Sequence, residues 1–98
     1  MKAYLLVEAK VSDAQAYAAY KELAAAAIAR HGGRYLARGG RIEVLEGNWQ
    51  LPERLVIVEF DSLEQAKRFY DSPEYQQARA ARHDAATMNM LVVEGLPL

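Results

Sequence analysis

The chain predicts an α+β fold of order βαββαβ, a four-stranded antiparallel sheet with its helices on one face, and three observations carry that expectation. Short apolar runs rich in β-branched residues stand at Ala3–Ala9, Leu55–Phe60 and Met88–Glu94, as strands require. Amphipathic stretches with helical spacing follow Ser12 and Ser62, each serine having a glutamine three residues on. The two halves also repeat. Ser12, Gln15, Ala16 and Tyr20 are matched by Ser62, Gln65, Ala66 and Tyr70 at an offset of 50 (62 minus 12), and Val44-Leu45-Glu46-Gly47 by Val92-Val93-Glu94-Gly95 at an offset of 48 (92 minus 44). Two β-α-β halves in succession make the split β-α-β, or ferredoxin-like, plan, with residues 1–98 forming a single domain.

Ala3–Ala9 is apolar on both alternating faces except at Glu8, so the first strand is expected to have something packed on each side. Ser12 with Gln15 reads as a capping box opening a helix over about residues 13–31, with Gly32 supplying a left-handed stop. Gly33–Arg38 reads as a second strand. Gly39-Gly40 then marks a bulge or turn, and Ile42 and Val44 suggest that the strand continues in a second piece before Pro52 imposes a loop. Leu55–Phe60 is the most β-prone run and is placed centrally. Ser62 with Gln65 caps another helix. Ser72-Pro73-Glu74 restarts it as a third helical piece running to about His83, with Pro73 in the first turn. Met88–Glu94 closes the sheet before Gly95.

Tyr4, Leu6, Val56, Val58, Leu91 and Val93 cannot all face the helices if their alternating neighbours do. The surplus apolar face predicts a partner sheet, most simply in a two-fold homodimer. Composition narrows the function classes. A net charge of -1 provides no basic field for nucleic acid, and no apolar run approaches the roughly 20 residues that span a bilayer. Zero cysteines rule out disulfides and thiolate chemistry, and two separated histidines make a poor zinc set. No metal, cofactor, nucleic acid or membrane is therefore expected, and a reducing cytoplasmic setting fits.

Four blocks carry a resemblance. Gly32-Gly33-Arg34-Tyr35-Leu36-Ala37-Arg38-Gly39-Gly40, Leu45-Glu46-Gly47-Asn48-Trp49, Arg54-Leu55-Val56-Ile57-Val58-Glu59-Phe60 and Tyr70-Asp71-Ser72-Pro73-Glu74-Tyr75-Gln76 together resemble the domain-of-unknown-function family thirteen-thirty. The resemblance covers nearly the whole chain; Gln50-Leu51-Pro52 and Asp61 depart from the family's pattern without touching the fold. It implies membership of the dimeric α+β barrel superfamily and a cleft between sheet and helices, but no reaction. Superfamily relatives include cofactor-free monooxygenases, muconolactone isomerases and haem enzymes, which is likeness of fold and does not settle function.

Arg38 beside Gly39-Gly40 is the candidate anion clamp, because arginine offers a planar fork and glycines let backbone donors approach; the plain alternative is an exposed strand-end arginine. Glu46 is the candidate general base, against a shared structural role with its repeat partner Glu94. Trp49 is expected as a lid over the cleft or as an interface anchor. Arg54 is expected to pair with Glu46 across the turn or to contact substrate. Tyr35, Tyr70 and Tyr75 are candidates to line a pocket, with core packing as the alternative. His31 and His83 read as helix C-terminal residues. His83 and Asp84 are not expected to face each other, being adjacent on a helix. Two functions follow: a cofactor-free cleft for a small enolisable or phenolic molecule, or a non-catalytic dimeric module.

Overall fold

Seven elements follow one another in the computed structural model, which describes residues 1–97: β1 (Ala3–Val11), α1 (Ala14–Arg30), β2 (Arg34–Arg38), β3 (Arg54–Phe60), α2 (Leu63–Asp71), α3 (Pro73–Ala81) and β4 (Ala86–Glu94). Strand pairing gives the sheet order β2-β3-β1-β4 with every neighbour antiparallel. The Leu55–Phe60 run is thus central, as its apolarity demands. The ferredoxin-like plan holds, and the molecule is a slab 16 Å thick, one sheet and one layer of helices.

The helix-facing side holds the core. Leu5, Val7 and Ala9 of β1 and Val56, Val58 and Phe60 of β3 are buried against Tyr17, Tyr20, Ala24, Ala27 and Ile28 of α1, Ala66 and Phe69 of α2, and Tyr75 and Ala78 of α3. Alanines on α1 and α3 let those two helices lie close together. The rings of Phe60, Phe69 and Tyr75 form the centre, with centroids 5.3 Å and 4.6 Å apart along that chain, in tilted contacts that aromatic quadrupoles favour. Val56 and Val58 therefore belong to the core and not to the surplus apolar face. On β3 that face carries Leu55 and Ile57 instead, opposite Glu8 and Leu6 of β1. Leu91 and Val93 complete it and are 58% and 50% exposed.

The caps hold with one displacement. Ser62 Oγ accepts from Gln65 N at 3.0 Å and Ser72 Oγ from Tyr75 N at 3.1 Å. Gly32, at φ +77, ends α1 as expected. Its N–H donates to Ala29 O and that of Gly33 to Ile28 O, at 3.2 and 2.8 Å, the paired bonds of a Schellman motif. At the start of α1, however, Asp13 is the cap and accepts from Gln15 N and Ala16 N, whereas Ser12 Oγ donates to Asp84 O. The cause is tertiary: Ser12 N and Asp13 N both donate to Ala85 O, at 2.8 and 3.1 Å, which pins the turn before β4 against the helix start. Nor does Gln65 return to Ser62; its amide reaches His31 O at the end of α1.

The second correction is larger. Residues 39–53 form neither strand nor helix, so the expected second piece of β2 is absent. Val44-Leu45-Glu46-Gly47 lies in this arm while Val92, Val93 and Glu94 lie in β4. The topology repeats, but the residue matches that suggested repetition are not equivalent positions. His83 and Asp84 also lie beyond α3, which ends at Ala81. Freed from the helix, they approach to 3.4 Å with both side chains almost fully exposed.

An N-cap contributes about 1 kcal/mol. Asp13→Ala is expected to lower the unfolding free energy by about that amount and Ser12→Ala by less than about half of it, measured by urea denaturation.

Candidate functional site

The site begins with an irregularity in β2. Side chains three apart on a regular strand point to opposite faces. Here Tyr35 pairs with Val58 and Arg38 with Val56, and the register shifts between Tyr35 and Ala37. Because Val56 and Val58 both face the helices, the extra residue at Leu36 turns Tyr35 and Arg38 to the same side. The Arg38 guanidinium lies over the Tyr35 ring, 4.5 Å from its centroid, a cation–π contact. Arg54 pairs with buried Ala9 and joins them on that side.

These side chains open a cleft between α1 and the sheet. Tyr17, Tyr20 and Lys21 of α1, Tyr35, Arg38 and Arg54 of the sheet edge, and Met88 and Met90 of β4 line it. Its closed volume is about 30 Å³, room for one or two waters. Of the described residues that line it, three are cationic and none is acidic. Among the described residues Lys21, Arg38 and Arg54 form no ion pair, and Arg54 Nε is buried with no hydrogen-bond acceptor. A buried donor without an acceptor is rare enough to need an explanation. The expected Arg54–Glu46 pair does not form. Burial pushes the half-buried Tyr35 phenol above its ordinary 10.0, with Arg38 and Arg54 pulling the other way.

Tyr75 lies at the back of the cleft and belongs to the core at 1% exposure. Its hydroxyl is 2.7 Å from that of Tyr20 and donates to Met90 Sδ at 3.6 Å. Burial first, and then the Tyr75 hydroxyl, raise the Tyr20 pKa far above the phenol range, so Tyr20 stays protonated. Tyr70 is elsewhere, under the guanidinium of Arg79 at 4.9 Å. Gly39 and Gly40 divide in role: the Gly39 N–H is occupied by Leu55 O at 2.9 Å and is not free for an anion, whereas Gly40 faces open space.

Glu46 and Trp49 lie on the other side of the sheet. With Leu6, Leu55, Leu91 and Leu51 they line a hollow of about 570 Å³ between the arm and the uncovered face. Trp49 is 75% and Leu45 96% exposed there. The sequence therefore names residues of two places as one site. Lys21, Met88 and Met90 are cleft residues it does not single out; their spacing looks like ordinary helix surface and strand core. Among the described residues no cluster of three or more His, Asp or Glu side chains could hold a metal ion, and no helix is long and apolar enough to cross a membrane.

Arg54 lowers the Tyr35 pKa and burial raises it, so Arg54→Met is expected to move that pKa further upward. Site-resolved NMR titration of the tyrosine Cζ resonances measures the shift.

Solved structures share this fold. A protein of unknown function from Rhodopseudomonas palustris is 21% identical, with a TM-score of 0.76 over 99% of this chain and 84% of its own. A dimeric protein of unknown function and ferredoxin-like fold from Bacteroides fragilis is 18% identical, at 0.69 over 96% of each chain. SnoaB, a cofactor-independent oxygenase from Streptomyces nogalater, is 12% identical, at 0.68 over 99% of this chain and 95% of its own. No curated protein matches the sequence. The domain-of-unknown-function family DUF1330 matches over residues 2–96, and by that match across almost its whole length this chain belongs to the family.

Proposed function

We propose that this protein is a homodimer joined through the uncovered face of its sheet, each protomer binding a small phenolic or enolisable organic anion in its helix-side cleft without a cofactor. The observation that carries the binding reading is the set of three cations, Lys21, Arg38 and Arg54, lining a cleft with no carboxylate among its described residues. Unpaired guanidinium groups at a partly dry site favour an ionised ligand, and a planar oxyanion suits their donor fork. They also stabilise a phenolate or enolate over its neutral form, which lowers the ligand's own pKa. Tyr35 and the two methionines offer apolar surface for the rest of the molecule. A ring does not fit in about 30 Å³, so binding requires Lys21, Met88 and Met90 to rotate aside, and these are long unbranched side chains that adapt readily.

Glu46 lines the opposite hollow, so within one protomer it has no route to act as base on a ligand held by Arg38. A cleft with no acidic side chain among its described residues favours binding and ionisation of the ligand over proton abstraction by such a side chain. Dimerisation is supported by the exposed Leu91 and Val93 on the uncovered face and by the exposed Trp49 and Leu45 of the arm. The fold neighbour from Bacteroides fragilis is a dimer. Trp49 then serves as an interface anchor, the setting in which tryptophan is enriched.

Isothermal titration with 2-hydroxybenzoate and acetoacetate, against neutral 2-hydroxybenzamide, tests the cleft. The anions are expected to bind and the amide to bind at least tenfold more weakly. Arg38→Met and Arg54→Met are each expected to weaken the anions by roughly 10- to 100-fold, equivalent to about 1.4 to 2.8 kcal/mol for a lost charge-assisted bond. Equal affinities for anion and amide, or no binding at all, overturn the reading. For the dimer, Leu91→Lys is expected to shift sedimentation toward monomer while leaving the fold intact, since Leu91 is exposed in the protomer.

A further inference from the structure

We propose that Gly39 is a positioning residue of this cleft: the space left by its missing side chain seats the Arg54 guanidinium against the backbone, beside Tyr35 and Arg38. This rests on the cleft being an anion site. A Cβ built on Gly39 would lie 2.4 Å from Arg54 Nη1 and 3.0 Å from Arg54 Cζ, so the guanidinium occupies the place a side chain would take. Gly39 stands at φ +73, a conformation that side chains disfavour. Its N–H is tied to Leu55 O at 2.9 Å, next to Arg54 in the chain, so the backbone of the seat is fixed to the strand that carries the arginine.

No polar partner performs that task instead. Among the described residues Arg54 has no ion pair and its buried Nε has no acceptor. Packing against Gly39 and the cleft wall is what holds a long side chain that would otherwise sample many rotamers. The atoms in the way of a Cβ are the far end of a flexible side chain, so an alanine at position 39 displaces the guanidinium and leaves the sheet in place. Gly40 is the internal control, since a Cβ there meets nothing within 4 Å.

The role separates from simple backbone strain by coupling. Gly39→Ala is expected to weaken 2-hydroxybenzoate about tenfold or more by titration calorimetry, and Gly40→Ala less than about twofold. In an Arg54→Met background Gly39→Ala is expected to weaken it no further, because interactions through one partner are non-additive. Strain at positive φ lowers melting temperature alike in both backgrounds and cannot imitate that pattern. Gly39→Ala is also expected to move the Tyr35 titration in the direction Arg54→Met moves it, a readout that needs no ligand. If Gly39→Ala does not fold, Gly39→Asn, whose side chain tolerates positive φ, takes its place. The proposal is overturned if the loss of affinity is the same in both backgrounds, or if Gly39→Ala leaves affinity and Tyr35 titration at wild-type values. Wild-type protein that does not bind 2-hydroxybenzoate overturns the anion site and the role of Gly39 there together; binding that survives Gly39→Ala removes only the latter.

Discussion

Side chains alternate along a strand, and in the two central strands both alternating sets are largely apolar while the chain covers only one of them. From that constraint the rest follows. Leu5, Val7, Val58 and Phe60 bury under the helices; Leu6, Leu55 and Ile57 are left on the other side with only the arm nearby. A sheet with one layer of helices has two fates for its second face, polar composition or a partner, and this one is not polar. The arm of residues 39–53 turns the same constraint into shape, adding Trp49 and Leu45 to the exposed apolar surface.

The cleft depends on a local exception to alternation. A bulge on an edge strand costs one ladder position and gains the freedom to re-aim a side chain. The register shift after Tyr35 brings Arg38 to the helix side, where its cation and the half-buried phenol lie in contact. Arg54 arrives from the neighbouring strand. Around this charged edge the core is conventional: tilted aromatic rings in contact and a hydrogen-bonded pair of tyrosine hydroxyls. A second charged cluster, in which Arg34 bridges Glu59 and Asp61 and Lys2 meets Asp61, is exposed and balanced in sign, and such clusters stabilise little.

How far residues can be read alone is visible in the caps. Ser62 and Ser72 cap as their local spacing says, because an N-cap bond spans three residues and needs no distant partner. Ser12 has the same spacing and does not cap, because Ala85, far along the chain, holds its backbone. The tetrapeptide Val44–Gly47 fails as a continuation of β2 for a related reason: β propensity is realised only against a neighbouring strand, and β3 begins at Arg54, just beyond Val56, the partner of Arg38.

By itself the sequence determined the order of elements, the central place of Leu55–Phe60, the stop at Gly32, the break at Pro73 and the surplus of apolar faces, all of which are periodicity or turn chemistry within a few residues. It also carried the family resemblance that residues 2–96 bear out. Only the tertiary structure decided which β3 residues face the helices, that Arg54 stands with Tyr35 and Arg38 and not with Glu46, and that Trp49 and Glu46 belong to the opposite face. Those outcomes depend on register, and register is set between strands: one inserted residue exchanges the two faces of everything after it, and no local pattern in β2 announces where that residue sits.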